Sequence, residues 1–181
     1  MAVTPTNLLQ GPAECYHAIF GATEPADAET APAVAWTDMG GTDGGATGNL
    51  QNEYSDMEVD QVAMAVDARL LRQAASVVTN LAEVTLANIR RGLNMPDDAG
   101  DEIEWGGEDI VNASPNFSAI LLKGQKPGGG PRIVVVRRVL SVAQIAMSWT
   151  KDGKTMIPVE FKAYYVSQSV RAVRIDDTEA P

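Results

Sequence analysis

The 181-residue chain carries 14 Lys and Arg against 24 Asp and Glu, a net charge of −10 that repels free nucleic acid instead of gripping it. Its single cysteine excludes an internal disulfide, fits a reducing compartment, and with one histidine makes a poor start on a zinc site. Hydrophobic residues make up 45%, enough for one packed domain, and no run approaches the ~20 apolar residues of a membrane span, so no membrane insertion is expected.

The charge is uneven. Residues 1–109 hold 19 acids and 4 bases, whereas residues 110–181 hold 5 acids and 10 bases. Acidic and basic parts can pair within the fold or between copies, or acidic surface can be presented outward. The opening residues, "MAVTPTNLLQGPAE", have neither a basic start nor an apolar core. No secretion signal is expected, and the sequons at Asn112 and Asn116 read as incidental.

In chain order, residues 15–20 of "AECYHAIFGA" alternate weakly and predict a first strand. A Pro/Ala/acid loop follows, then a short strand end at "VAW". The glycine-rich "WTDMGGTDGGATGNL" holds Gly40, Gly41, Gly44 and Gly45 and reads as tight turns between strands. Residues 47–62 are polar with spaced apolar positions and predict an edge strand or an extended hairpin arm. "ARLLRQAASVVTN" ends in β-branched residues and predicts another strand.

One helix is expected, over about residues 80–93. Ala82, Leu86, Ile89 and Leu93 fall on one helical face, Asn80 with Glu83 makes a capping pattern, and Arg90 and Arg91 sit where cations favour the C-terminus. Gly92 stands near a C-cap position, and Pro96 stops continuation. "DDAGDEIEWGGED" reads as an acidic loop around a short strand. Residues 133–139 predict a β-branched strand, and "SVAQIAMSW" predicts one with Ala143, Ile145, Met147 and Trp149 on one face. Asp152 and Gly153 predict a hairpin turn. The return strand puts Ile157, Val159, Phe161, Ala163 and Tyr165 on one face, with Glu160, Lys162 and Tyr164 on the other. A last strand over residues 170–175 leads to an acidic tail, and "KGQKPGGGPR" reads as the most flexible internal loop. The expected class is mainly β: an antiparallel sandwich or open barrel with one flanking helix, in a single domain over residues 1–181.

The chain offers no catalytic constellation. The glycine loop lacks the lysine and helix of a phosphate cradle. Cys15 and His17 share a strand face, but no third group orients the imidazole, so a packed or interfacial histidine is the better reading. The acids Asp97, Asp98, Asp101, Glu102 and Glu104 lack the alternation and closing Glu of a calcium loop, with Ile103 and Trp105 in the wrong places; a solvated acidic loop fits better. Paired carboxylates form in space, and nothing specific points to them. Trp36, Trp105 and Trp149 read as core or interface anchors. No enzyme activity, cofactor or metal is expected.

Taken in order, the features resemble a major tail tube protein of long-tailed, siphovirus-type bacteriophages, most like those of actinobacterial phages. The residues that carry the resemblance are "IFGATEPAD" (19–27), "WTDMGGTDGGAT" (36–47), "TNLAEVTLANIRRGL" (79–93) and "WTKDGKTMIPVEFKAY" (149–164). The acidic loop over residues 97–109 and "KPGGGPR" have no clear place in that pattern. The resemblance implies a β-sandwich with one helix, a turn at the glycine segment, and an extended arm over about residues 49–66. Six copies would form a ring, and rings would stack into the virion's tail tube, assembled in the host cytoplasm. It implies inter-subunit contacts from Asn49, Gln51, Glu53, Tyr54, Asp56, Glu58 and Asp60, from an N-terminal segment over residues 1–14, and from a tail over residues 176–181. It implies as partners further copies of the chain, a tape-measure protein, and initiator, baseplate and terminator proteins. DNA would pass through without specific binding, because a lumen built from copies at −10 each repels phosphate.

Three rivals stand beside this expectation. An inner tube protein of a contractile secretion or tailocin device shares the fold. A monomeric decoration or adhesin module would form no rings. A small β-rich hydrolase would need a pocket with a perturbed carboxylate or histidine.

Overall fold

The computed structural model describes residues 11–97, 100–107, 115–149 and 151–178. Among them the chain runs β1 (Glu14–Ile19), β2 (Thr37–Asp38), β3 (Thr42–Met57), β4 (Asp67–Leu81), α1 (Leu86–Gly92), β5 (Ser118–Gln125), β6 (Pro131–Ser141), β7 (Ile157–Ala163) and β8 (Val173–Asp176). The strands form one antiparallel sheet in the order β2-β1-β5-β6-β7-β4-β3, with β8 joined to β6. The expected mainly-β class with a single helix is the architecture found, and the sheet stays open.

β6 turns this one sheet into two layers. Along one side it pairs with β5; along the other, β8 takes residues 133–136 and β7 takes residues 139–141. Between these, residues 136–139 of β6 face only residues 118–120 of β5, a bulge at Arg137 and Arg138. Bulges bend and twist a strand. Here the bend folds the β1/β5 part over the β4/β7 part, so Cys15, Ile120 and Leu122 share one core with Val77, Leu81, Ile157, Val159 and Phe161. A second cluster covers the outer face of β1, β5 and β6, where Ala18, Ala119, Leu121, Ile133 and Val135 pack with Ala28 and Trp36. Burial on both faces explains why β5 and β6 read as continuous apolar runs, while β7 alternates.

The helix is shorter than expected. Asn80 and Leu81 belong to β4, where they pair with Pro158 and Ile157, so tertiary pairing overrides local propensity. Thr85 is the N-cap, its hydroxyl accepting from Asn88 N at 3.2 Å, while Glu83 accepts from Gly41 N at 3.0 Å. Of the expected stripe, Ala82 lies outside the helix and Leu86 is exposed; Ile89 and Leu93 do pack on the core. Arg90 and Arg91 occupy the last turn as expected, but both are buried. Asn94, not Gly92, closes the helix: its φ is 57°, its N–H reaches Arg91 O, and Met95 N reaches Arg90 O at 2.9 Å, a left-handed C-terminal cap. Gly92 serves packing, because a Cβ there would lie 2.5 Å from Ile145 Cδ1.

Other expectations shift. "VAW" is a turn, and the strand begins after it at Thr37. Residues 142–149 and 100–107 contain no strand, so β6 reaches β7 through a long irregular connection, not a hairpin at Asp152 and Gly153. β7 ends at Ala163, leaving Tyr165 exposed, and the last strand starts at Val173. Of "KGQKPGGGPR", residues 123–125 end β5 and residues 131–132 begin β6, so only residues 126–130 form the hairpin turn, with Lys126 N donating to Gly130 O at 3.0 Å. Asp98, Asn112 and most of the two terminal segments lie outside the described residues.

Candidate assembly surface

β3 and β4 pair along their whole length, from Thr42 opposite Leu81 to Met57 opposite Asp67. β7 supports β4 only from Ser76 to Leu81. Beyond Leu50 opposite Ala75, the two strands therefore leave the body as a free ribbon, roughly 25 Å long at ordinary strand rise. The arm expected over about residues 49–66 covers the β3 half of this ribbon and its tip; the other half, residues 67–74, belongs to the strand expected from "ARLLRQAASVVTN".

Register assigns its two faces, since directly opposed residues share a face. One carries Leu50 and Ala75, Asn52 and Gln73, then Tyr54 and Leu70. The other carries Gln51 and Ala74, Glu53 and Arg72, then Ser55 and Arg69. A bulge at Leu71 lies between them in the ladder. Val77 and Thr79, on the first face, are buried in the body. That face thus continues outward from the core, and among the described residues nothing lies over it: Leu50 is 61% exposed, and Tyr54, Leu70 and Leu71 are also open. The tip adds Met57, Val59, Val62, Met64 and Val66, all exposed, with Met64 at 79%.

Of the individual residues expected to mediate contacts, all but Asn49, which pairs with Ser76 inside the body, lie on this ribbon or its tip. Asn49, Gln51, Glu53, Tyr54 and Asp56 stand on β3, and Glu58 and Asp60 stand in the tip, all exposed. Polar groups also tie the ribbon together: Gln73 Nε2 donates to Asn52 Oδ1 at 3.0 Å. Leu50, Leu70, Leu71 and Met64 are missing from the sequence expectation. Leu50, Tyr54 and Leu70 come to one face, interrupted by Asn52 and Gln73, only once the register is known.

The glycines are turn and bulge residues. Gly40, with φ 81°, turns the chain from β2 into β3, and a Cβ there would meet the Glu83 carboxylate at 2.3 Å. Gly44 and Gly45, both at positive φ, fill the register shift between Asp43 and Ala46. Gly41 gives its N–H to Glu83.

The remaining candidates sit elsewhere. Cys15 is fully buried with its Sγ 3.7 Å from Met39 Sδ; burial, then Asp38, pushes the thiol up to about 12, so it stays a thiol. His17 is buried on the same face, with Nδ1 3.7 Å from Asp97 Oδ2. Burial and then Arg91 lower its pKa to about 4 against the pull of Asp97. No group of three or more possible metal ligands occurs among the described residues. Trp36 is a core residue whose Nε1 donates to Thr23 O at 2.8 Å, whereas Trp105 and Trp149 are exposed at 75% and 84%.

No protein-family model matches the chain, and no curated protein is significantly similar to it. Among the described residues, no helix is long and apolar enough to cross a membrane.

Proposed function

We propose that the chain is a structural subunit that assembles with copies of itself into the stacked rings of a tail tube. The observation that carries this reading is the free ribbon: a two-stranded projection whose core-facing side continues outward uncovered by any of the described residues. An isolated two-stranded ribbon is marginal in water, and an open edge strand such as β3 invites pairing with another chain. A neighbouring copy supplies both the missing layer and the missing edge partner. The order of sequence features resembling tail tube proteins supports the same reading, as does the acidic composition expected of a DNA conduit. Under this reading the tape-measure, initiator and terminator proteins are partners, and DNA passes without specific contacts.

Negative-stain electron microscopy of the purified chain, with light scattering for mass, tests this. Hollow rings or tubes are expected. A uniform monomer at high concentration, unchanged when tail initiator complex is added, overturns the reading in favour of a monomeric decoration module.

A further inference from the structure

The tip of the ribbon is acidic and apolar at once. Residues 54–68 hold Asp56, Glu58, Asp60 and Asp67 and no base, and all four acids are exposed. Among them stand Met57, Val59, Val62, Met64 and Val66, also exposed. Two backbone bonds shape this end: Val66 N donates to Met57 O at 2.9 Å, and Val62 N to Val59 O at 3.1 Å. Arg69 and Arg72 lie behind the tip and leave the ribbon acidic as a whole, since residues 51–74 set Glu53 and the four tip acids against these two bases. A surface that receives the tip has to be basic as well as apolar.

One surface of the body is both. It lies at the bulge of β6. The Arg138 guanidinium sits 3.9 Å from the centre of the Phe117 ring and 5.7 Å from that of Phe20, cation–π contacts that hold it in place. The Tyr164 ring meets Phe117 edge-on at 5.6 Å, and Arg138 Nη1 donates to Tyr165 O at 2.8 Å. Beside it, Arg137 Nη1 donates to Arg171 O and brings Arg171 to the rim. Phe20, Tyr165, Val170 and Arg171 are exposed. The charges here do not cancel. Glu24 and Asp176 are taken up by Arg137 and Arg174, whereas among the described residues neither Arg138 nor Arg171 has a carboxylate partner. Following β8 further adds Lys126 and Arg132 against Asp27 and Asp177, so the excess of two cations stands.

A copy cannot bring its own tip to this surface. Lys162 pairs with Ser76 at the foot of the ribbon, so Tyr164 and Tyr165 stand beside that foot. Asp67 lies nine residues of strand further out, roughly 30 Å at strand rise.

We infer that the ribbon tip of one copy seats on the Arg138 and Phe117 surface of another. The tip's acids face Arg138 and Arg171, and its methionines and valines cover Phe20, Tyr165 and Val170. The inference rests on the reading of the chain as a stacking subunit and names the surface that receives the tip. Such a contact is heterologous: a copy that gives its tip to one neighbour keeps its own receiving surface for another, so the contact repeats along an assembly. Its charged part is exposed, and added salt weakens it.

Complementary charge reversal tests it. One variant carries Asp56→Lys, Glu58→Lys and Asp60→Lys on the tip. A second carries Gln168→Glu, Ser169→Glu and Arg171→Glu, exposed positions on the segment that runs from Tyr165 to the rim. In the first, a basic tip meets a basic surface; in the second, an acidic tip meets an acidic surface. Each alone should raise the concentration needed for tubes by at least about tenfold, since like charges set against one another oppose association. An equimolar mixture restores assembly, because each tip then finds a surface of opposite sign. Circular dichroism melts confirm that both variants fold. If either variant assembles like the wild type, or the mixture fails to recover, this is not the receiving surface, although wild-type tubes would keep the tail-tube reading standing. A wild-type chain that never assembles, even on an initiator, removes both.

Discussion

Asn94 does at one position what two residues usually share. Its backbone sits at φ 57°, closing α1. Its side chain accepts from Ser141 N at 2.6 Å and donates to Ser141 O at 2.8 Å, extending β6 by an amide that imitates a strand neighbour. Asn94→Gly keeps the backbone conformation and loses both bonds, at about 1–2 kcal/mol. Asn94→Ala adds the left-handed penalty, for about 2–4 kcal/mol in all. Urea unfolding of both variants should rank them in that order; equal losses would mean the backbone conformation carries no strain. His17 gives a second residue-scale expectation. Its folded pKa of about 4 lies below the free value of 6.5, so the unfolded chain binds more protons between those values. Stability is intact above pH 6.5 and falls as pH drops towards 4, by about 3 kcal/mol in total from this group. Neither ring nitrogen has a hydrogen-bond partner among the described residues. His17→Leu should therefore cost little at pH 7 and make the chain more stable than wild type at pH 4.5. Equal acid slopes in the two proteins would contradict this.

At the scale of elements, the ribbon is separable from the body. Leu50 and Ala75 are direct partners, so residues 51–74 can be replaced by Asn-Gly, the pair that suits a two-residue hairpin turn. The body's two core clusters take no buried residue from the deleted segment. The shortened chain should melt cooperatively within a few degrees of wild type while forming no tubes; normal tubes would remove the ribbon from the assembly. What was legible in the sequence follows the same division. β7 could be read because one buried face enforces alternation at Ile157, Val159 and Phe161. β6 could be read over residues 133–139 because both its faces are buried, whereas β5, residues 118–125, carried no strand expectation. "SVAQIAMSW" alternates just as well, yet residues 142–149 form no strand, since alternation does not supply a neighbouring ladder. Asn80 carried a helix-start pattern, but its pairing with Pro158 wins. The ribbon's acids and amides were legible as an exposed arm. Its apolar face was not, because Leu50, Tyr54 and Leu70 belong to two strands and the bulge at Leu71 resets the spacing.

At the scale of the whole molecule, the uneven charge is partly answered inside the fold. Glu24, from the acidic part, lies between Arg137 of β6 and Arg174 of β8. Arg137 grips it with two bonds, Nε to Oε1 at 2.5 Å and Nη2 to Oε2 at 2.9 Å, and Arg174 Nη1 lies 3.4 Å from Oε2. Arg174 also bonds Pro25 O, Ala26 O and Asp176. This cluster fastens β8 over the half of β6 that β7 does not cover, and it sits at the bulge where the sheet bends. Burial alone would raise the Glu24 pKa, but the bonds and charges of Arg137 and Arg174 outweigh it and hold the carboxyl below its ordinary value of 4.5. The sign follows: its contribution is present above the ordinary value and is lost as pH falls through the lowered one. The Glu24 side chain is 22% exposed, so screening removes only part of the effect. Glu24→Gln leaves the partly buried Arg137 guanidinium without its anion, while Arg174 keeps Asp176, and should cost about 2–3 kcal/mol at pH 7. The Lys154–Asp43 pair is a control of the same charge type on exposed side chains, and Asp43→Asn should shift the unfolding midpoint far less. Hydrogen exchange locates the loss: in Glu24→Gln the amides of residues 173–176 should lose protection before those of β7. If β8 and β7 open together, the cluster does not fasten β8 separately, and the two layers unfold as one unit.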